Sequence, residues 1–359
     1  MPPLSRPRLA AAVILIGAVS AALIGGFAWA AGWIGAPRIT SNDAIAALEY
    51  NGGRYPGYRR AHAKGMCFTG WFDANGAGGA LSMASVFRPG RYPVIGRFSV
   101  AGANPMAGDG RNVFHAMALL LRTPDGQQWR MAMDHTPFFP VGDVPAFLAF
   151  QYASRPVPAT GVPDPAAMKS YLAEHPETKR FLDYMASAPL PDSFAKAIYY
   201  SINAFRFTNA QGVTRSVRWQ MEPEIPLTAL DKSRLADLPR DALFREMIDR
   251  TARGPSHWHM LLVVANPGDR TDNATIAWTG THQRTDAGTL TLERVMPEET
   301  GACRDLNFDP TIVPRGIALS DDPLLGARAK VYSTSFTHRA TEGPHPSAVG
   351  EDLHVEESR

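Results

Sequence analysis

The hydrophobic and polar positions of this chain fall into three stretches. Residues 9–36 contain no charged side chain and follow Arg6 and Arg8. A helix needs about 20 apolar residues to cross a bilayer, so this stretch predicts one N-terminal transmembrane helix with room for tilt. From about residue 40 the pattern changes to short apolar or alternating runs bounded by Gly, Pro or Asp. Residues 80–87, 94–100, 116–121 and 258–264 read as strands. Residues 204–207 and 213–219, joined by Asn209-Ala210-Gln211-Gly212, read as a hairpin. Helical patterns cover Val144–Ala153 and residues 165–188, 239–253 and 324–333. This order predicts an α+β fold, an antiparallel sheet or barrel with helices inserted and appended. The third stretch, from Thr341 to the end, is polar with Pro344, Pro346 and a Glu-rich terminus, and predicts a loose tail. The chain therefore divides into a segment 1–38, one domain 39–345 and a tail 346–359.

The N-terminal segment has two outcomes. Trp29 and Trp33 suit an uncleaved anchor, as aromatic residues at the outer membrane interface. Ala28-Trp29-Ala30 also has the small-x-small form of a signal cleavage site, although a signal peptide has a shorter apolar core of roughly 7–15 residues. In both cases Arg6 and Arg8 keep the N-terminus inside and send the rest of the chain across. The expectation is a single-pass inner-membrane protein with its domain in the periplasm, or a periplasmic protein if the segment is removed.

Composition narrows the picture further. With 359 residues, 45% of them hydrophobic, the chain can bury a large core. A formal net charge of +2 and no dense basic run in the body give no support for nucleic-acid binding. Thirty prolines and 31 glycines fit a loop-wrapped β protein better than a helical bundle. The two cysteines, Cys67 and Cys303, exclude a disulfide framework and a four-cysteine zinc site. They read first as unrelated thiols, and a single disulfide between them stays open in an oxidising compartment.

Chemistry concentrates in a few segments. Arg59-Arg60-Ala61-His62-Ala63-Lys64-Gly65 runs into the aromatic Phe68-Thr69-Gly70-Trp71-Phe72, and Gly96-Arg97-Phe98-Ser99 follows. Met133-Asp134-His135-Thr136-Pro137-Phe138-Phe139 comes next. Near the end, Asn307-Phe308-Asp309-Pro310, Val313-Pro314-Arg315-Gly316-Ile317 and Asp322-Pro323-Leu324-Leu325 lead to Arg328, Tyr332 and Arg339. Arg328 precedes Tyr332 by four residues, which on a helix sets its guanidinium beside the phenol. Together these segments resemble the haem catalases over residues 45–340, and in particular the small catalase-related peroxidases that lack the wrapping region and helical domain of longer members.

The resemblance implies a catalase-like eight-stranded antiparallel β-barrel with flanking helices and a haem b at its side. By that likeness, His62 is the distal acid–base catalyst and Ser99 the acceptor that fixes its tautomer. Tyr332 is the iron ligand, with its phenol made acidic by the metal and by Arg328. Arg59, Arg97 and Arg339 pair with the haem propionates, while Phe139 and Phe147 pack on the haem and its channel. Arg54 and Arg60 are left as solvent or interface residues. Asp134 departs from the family pattern, which has asparagine there. An ionised carboxylate only accepts hydrogen bonds, so it serves as a donor only if burial keeps it protonated, or His135 takes over. The implied activity is reduction of hydrogen peroxide or organic peroxides with a small organic electron donor, and weak catalase activity. The alternatives are a non-catalytic haem-binding protein of this fold, a dehydratase or isomerase of fatty-acid hydroperoxides, and an envelope protein without haem. The sequence leaves the donor and the oligomeric state open.

Overall fold

The computed structural model describes residues 6–31, 33–35, 39–111 and 114–349. It divides between Thr40 and Ser41 into two units. The first contains helix α1 (Arg6–Ala30), long and apolar enough to cross a membrane. Its side chains Ile14, Leu23 and Phe27 are exposed.

The second unit is built on ten strands: β1 (Gly65–Ala74), β2 (Gly90–Val100), β3 (His115–Arg122), β4 (Gln128–Asp134), β5 (Tyr199–Tyr200), β6 (Phe205–Thr208), β7 (Thr214–Pro223), β8 (Ser256–Val264), β9 (Arg284–Met296) and β10 (Ile317–Leu319). All their pairings are antiparallel. β7 bonds β5 on one side and β8 on the other, which closes the circuit β1–β2–β3–β4–β5–β7–β8–β9 into an eight-stranded barrel. β6 continues the β5 edge along β7 and carries β10.

The barrel interior is filled rather than hollow. In β8, Trp258, Met260, Leu262 and Val264 point inward and alternate with partly exposed His257, His259, Leu261 and Val263. That two-residue period is what a half-buried strand dictates. Phe68, Phe72, Phe98, Trp129, Phe207 and Trp219 complete this core. Gly96 is required by one of these rings, because a Cβ there would collide with Phe68 across the β1–β2 pair.

Seven helices complete the described residues: α1, α2 (Ser41–Gly52), α3 (Val144–Ala153), α4 (Pro165–Glu174), α5 (Pro176–Ser187), α6 (Ala242–Arg253) and α7 (Pro323–Glu342). The sequence pattern places α3 well, and Asp143 caps it by accepting from the Ala146 N–H at 2.9 Å. The single helix expected over 165–188 is two, because Pro176 cannot continue a helix and pushes His175 out of helical geometry. α7 runs nine residues past the expected end at Ser333, and its far end is held by the ion pairs of Glu342 with Arg60 and Arg54.

Residues 80–87 are not a strand. They form two short 3-10 turns, Ala77–Ala80 and Ser85–Phe87, around a bend where the Ser82 hydroxyl accepts from Ala84 N–H and donates to Gly316 O. Their alternation reports burial of Leu81, Val86 and Phe87 in the core, not a ladder partner. The segment expected to be loose is packed as far as described: Ala348 and Val349 are buried, and the Tyr58 hydroxyl donates to Pro346 O. Residues 350–359 lie outside the described residues.

Candidate functional site

Strand register assembles one wall. Gly65 pairs with Ser99, Ser99 with Ala116, Ala116 with Asp134, and Asp134 with Tyr200. Residues opposite one another in neighbouring strands share a face, so Ser99 and Asp134 project from the outer side of the barrel, opposite to inward Phe98 and Met133. Arg97, two residues before Ser99, shares that face. Gly65 makes room for it, since a Cβ there would strike the Arg97 guanidinium.

His62 stands in front of this wall. It has φ +54°, one of two non-glycine residues with positive φ among the described residues. Such a conformation costs of order 1–3 kcal/mol and persists only where surrounding structure enforces it. The next residue supplies that anchor, Ala63 N–H donating to Gly102 O at 3.0 Å. His62 Nδ1 lies 3.3 Å from Ser99 Oγ. Burial, followed by the guanidinium charges of Arg97, Arg328 and Arg59, pushes its pKa down to about 3, so the ring is neutral at pH 7.

Asp134 is 7% exposed. Burial raises its carboxyl to about 7, against an opposing pull from Arg328. His135 is otherwise engaged. Its Nδ1 lies 3.1 Å from the His115 N–H and 3.3 Å from the His115 carbonyl, so that nitrogen is engaged by the backbone of β3. The ring packs edge-on against Phe114 at 5.2 Å, and Phe114 in turn lies 6.3 Å from the His62 ring. His135 also lines a cavity of about 570 Å³ with Tyr184, Tyr200 and Leu190.

Helix α7 carries the other side. Asp322 caps it by accepting from Leu324 N–H at 3.0 Å and also accepts from Asn203 Nδ2 at 2.9 Å. Asn203 Oδ1 receives one Nη of Arg328 at 2.8 Å. The other Nη reaches the Tyr332 oxygen at 3.1 Å and Ala132 O on β4 at 3.1 Å. Arg328 is thus held on three sides and faces the phenol. It also ties α7 to β4 two residues from Asp134.

The third group is a cluster of arginines. Arg59 donates from Nε to Glu298 Oε1 at 3.1 Å, and its two Nη atoms reach the carbonyls of Leu306, Cys303 and Arg304. Arg97 binds both Glu298 oxygens, at 2.9 and 2.7 Å. Arg339, on α7, donates to Arg304 O. Its buried Nε has no hydrogen-bond partner among the described residues, and its side chain lines a second cavity of about 410 Å³ with Arg304, Phe336 and His345. A disulfide joins Cys67 on β1 to Cys303, so the two cysteines are not unrelated thiols. That bond fixes the segment whose carbonyls hold Arg59 and Arg339.

Arg60 is not a solvent residue either. It is 2% exposed and lies between Glu49 and Glu342, and Glu342 also accepts from Gly57 N–H. The end of α7 is thereby fastened to the stretch leading into His62. Arg54 remains largely exposed beside Glu342. Phe139, half-buried, follows β4 and donates its N–H to Ala274 O at 2.8 Å, while half-buried Phe147 lies on α3. The sequence reading missed Glu298 and Asn203, and took Asp322 only as part of the approach to the helix. Only Asp322 has a local signal, an Asp-Pro helix start.

The donor set fits an iron porphyrin. A phenol oxygen beside a guanidinium suits ferric iron as a ligand, and a buried neutral imidazole suits proton transfer. Three guanidiniums around one carboxylate, with an orphaned Arg339 Nε, leave positive charge for two more carboxylates.

The family profile described as catalase matches residues 46–348. Over 301 residues the chain is 35% identical to a catalase-related peroxidase of Synechococcus elongatus, spanning 84% of this chain and 89% of that protein. A catalase-related peroxidase of Mycolicibacterium paratuberculosis is 31% identical over 84% of this chain and 95% of its own length. The catalase of Rattus norvegicus is 26% identical over 78% of this chain and 56% of its own length. Among solved structures, a fungal catalase superposes with a TM-score of 0.70 at 19% identity, over 80% of this chain and 60% of that one. A bacterial catalase gives a TM-score of 0.70 at 20% identity, over 79% and 57%. The chain thus spans nearly the full length of the two peroxidases but less than two thirds of the catalases.

Proposed function

The chain belongs to the catalase family and is an oxidoreductase acting on peroxide, and we propose that it is a haem peroxidase that consumes peroxide at the expense of a small organic electron donor. The observation that carries this reading is the Arg328–Tyr332 pair, with its guanidinium-to-phenol contact of 3.1 Å on a helix tied to the strand bearing Asp134. Two relatives named catalase-related peroxidase, of nearly the same length, support it.

Tyr332 would ligate the iron as phenolate, and Arg328 favours that form by placing a fixed positive charge beside it. Arg59, Arg97 and Arg339 would take the propionates of a haem b. Haem, once bound, supplies the iron at which the peroxide oxygen–oxygen bond is cleaved.

His62 has the protonation state a general base needs. Its Nδ1–H donating to Ser99 leaves the Nε2 lone pair free to take a proton from one peroxide oxygen and return it to the other. Asp134, protonated in part near pH 7, would donate a hydrogen bond toward the departing oxygen as long as it keeps its proton. Because that capacity fades as the carboxyl ionises, we assign peroxide dismutation a minor share beside donor oxidation. Helix α1 would hold the enzyme in the inner membrane with its catalytic unit in the periplasm, or direct export if removed.

The test is an absorption spectrum of the purified protein and its Tyr332→Phe variant, before and after peroxide. A tyrosinate-ligated ferric spectrum that is lost in Tyr332→Phe, with peroxide-dependent donor oxidation in the wild type, is the expected result. A spectrum indifferent to the substitution sinks the proposed iron ligand, and a haem-loaded protein inert to peroxide and donor points to a haem carrier.

A further inference from the structure

Glu298 is 1% exposed and sits among guanidinium groups. Its Oε1 accepts from Arg59 Nε and Arg97 Nε, and its Oε2 from Arg97 Nη2. The pair with Arg97 is almost fully buried on both sides, with side-chain exposures of 3% and 2%. Arg339 is close enough for its charge to act on the same carboxylate. Neighbouring Arg304 is already paired with Asp305. Three arginines and one glutamate give the cluster a formal charge of two.

Like charges brought together out of water repel, and each also loses hydration. Burial, then the Arg97 charge, pushes Arg59 down to about 9. Without Glu298 the cluster would carry three buried, mutually repelling cations before any cofactor arrived. The placement of Glu298 is not accidental. Strand β9 ends at Met296 and the disulfide grips Cys303, so the residues between are held at both ends. The Cys303 and Arg304 carbonyls meanwhile take Arg59 and Arg339.

We infer that Glu298 is the built-in counter-ion of the arginine cluster, a residue that stabilises the cofactor-free fold and lowers the affinity of the same arginines for the carboxylates of the incoming haem. The inference rests on the haem reading for its second half only. The sign follows from Coulomb's law. A fixed negative charge beside an anion site weakens anion binding, and also relieves the empty site. Residual charge on the cluster then matches the two carboxylates of one haem, so the loaded site carries no net charge.

The experiment compares full-length wild type, Glu298→Gln and the double variant Glu298→Gln/Arg59→Gln in detergent at low salt, all prepared free of haem. The single variant is expected to melt about 5 °C or more below wild type, because an uncompensated buried charge is strongly destabilising. The double variant, which removes one cation with the anion, is expected to recover at least half of that loss. Haem titrated into the single variant and followed by its absorption band should bind about tenfold more tightly than to wild type. Equal melting of wild type and the single variant overturns the inference. So does weaker haem binding by the single variant, which would make Glu298 a positioning residue for the cofactor. A double variant no more stable than the single one, including the case where neither folds, also overturns it. If wild type takes up no haem, the haem reading fails while the melting comparison still decides the counter-ion.

Discussion

Asn203 holds Arg328 from the side away from Tyr332, its Oδ1 accepting from one Nη at 2.8 Å while the other Nη meets the phenol oxygen at 3.1 Å. The guanidinium that donates to the Tyr332 oxygen is therefore itself oriented by a side chain 125 positions earlier. Removing that support loosens the donor without touching the ligand. Asn203→Ala should leave the haem spectrum recognisably tyrosinate but lower the iron reduction potential, because a phenolate that loses a hydrogen bond becomes a stronger electron donor. It should also shift acid release of haem to higher pH. Spectroelectrochemistry and a pH titration check both. An unchanged potential would mean that Arg328 keeps its place unaided.

Asp134 predicts a pH dependence with a definite sign. Its folded pKa, raised by burial to about 7, exceeds the unfolded value of 3.8. Below pH 3.8 both states are protonated and the group costs nothing. Between there and 7 the unfolded chain ionises while the folded one resists, so stability falls as pH rises and levels off above 7. Asp134→Asn removes that penalty and should stabilise the protein by roughly 2–4 kcal/mol at pH 8, with little change at pH 4. Denaturant unfolding at the two pH values measures it.

The same substitution tests the chemistry. If a protonated Asp134 assists the departing oxygen, wild-type reactivity toward peroxide should fall as pH rises through 7, whereas Asp134→Asn should react faster and hold its rate. Stopped-flow mixing with peroxide decides this. Equal rates in the two proteins would remove Asp134 from the peroxide step.

His62 should behave as a base that is never saturated with protons in the working range. With its pKa pushed to about 3, its contribution should stay level from pH 8 down to about pH 4. His62→Ala should bind haem with near-normal affinity and lose peroxide reactivity by a factor on the order of 10² or more. Ser99→Ala, which frees the tautomer but leaves the ring, should cost much less.

The disulfide closes a loop across 236 positions. Replacing Cys303 with Ser should cost about 2–4 kcal/mol of stability. Because the Cys303 carbonyl is one of the acceptors of Arg59, haem affinity should change as well. Thermal melting with and without haem would separate the two effects.

The sequence carried the local half of this molecule well. β8 announces itself by its apolar run and α3 by its helical pattern over Val144–Ala153. His62 with Ser99, and Arg328 with Tyr332, are recognisable from short motifs. Residues 80–87 misled because apolar alternation measures burial, and buried turns satisfy it as well as strands do. Glu298 and Asn203 were illegible for a different reason. Each acts on partners more than a hundred positions away, and nothing in their neighbourhoods differs from an ordinary loop. The disulfide was open either way, since two cysteines at this separation say nothing of their distance in space.

The brace between Arg60 and Glu342 couples α7 to the stretch that carries His62. One end of α7 is pinned by Asp322 and Asn203, the other by Glu342 to Gly57 and Arg60, a step away from His62. The helix that carries Tyr332 is thus suspended like an axle between two bearings, and one bearing is the stretch that leads into His62. A change at Glu49 or Glu342 would therefore be felt at both Tyr332 and His62 through the backbone that carries them, with neither residue replaced.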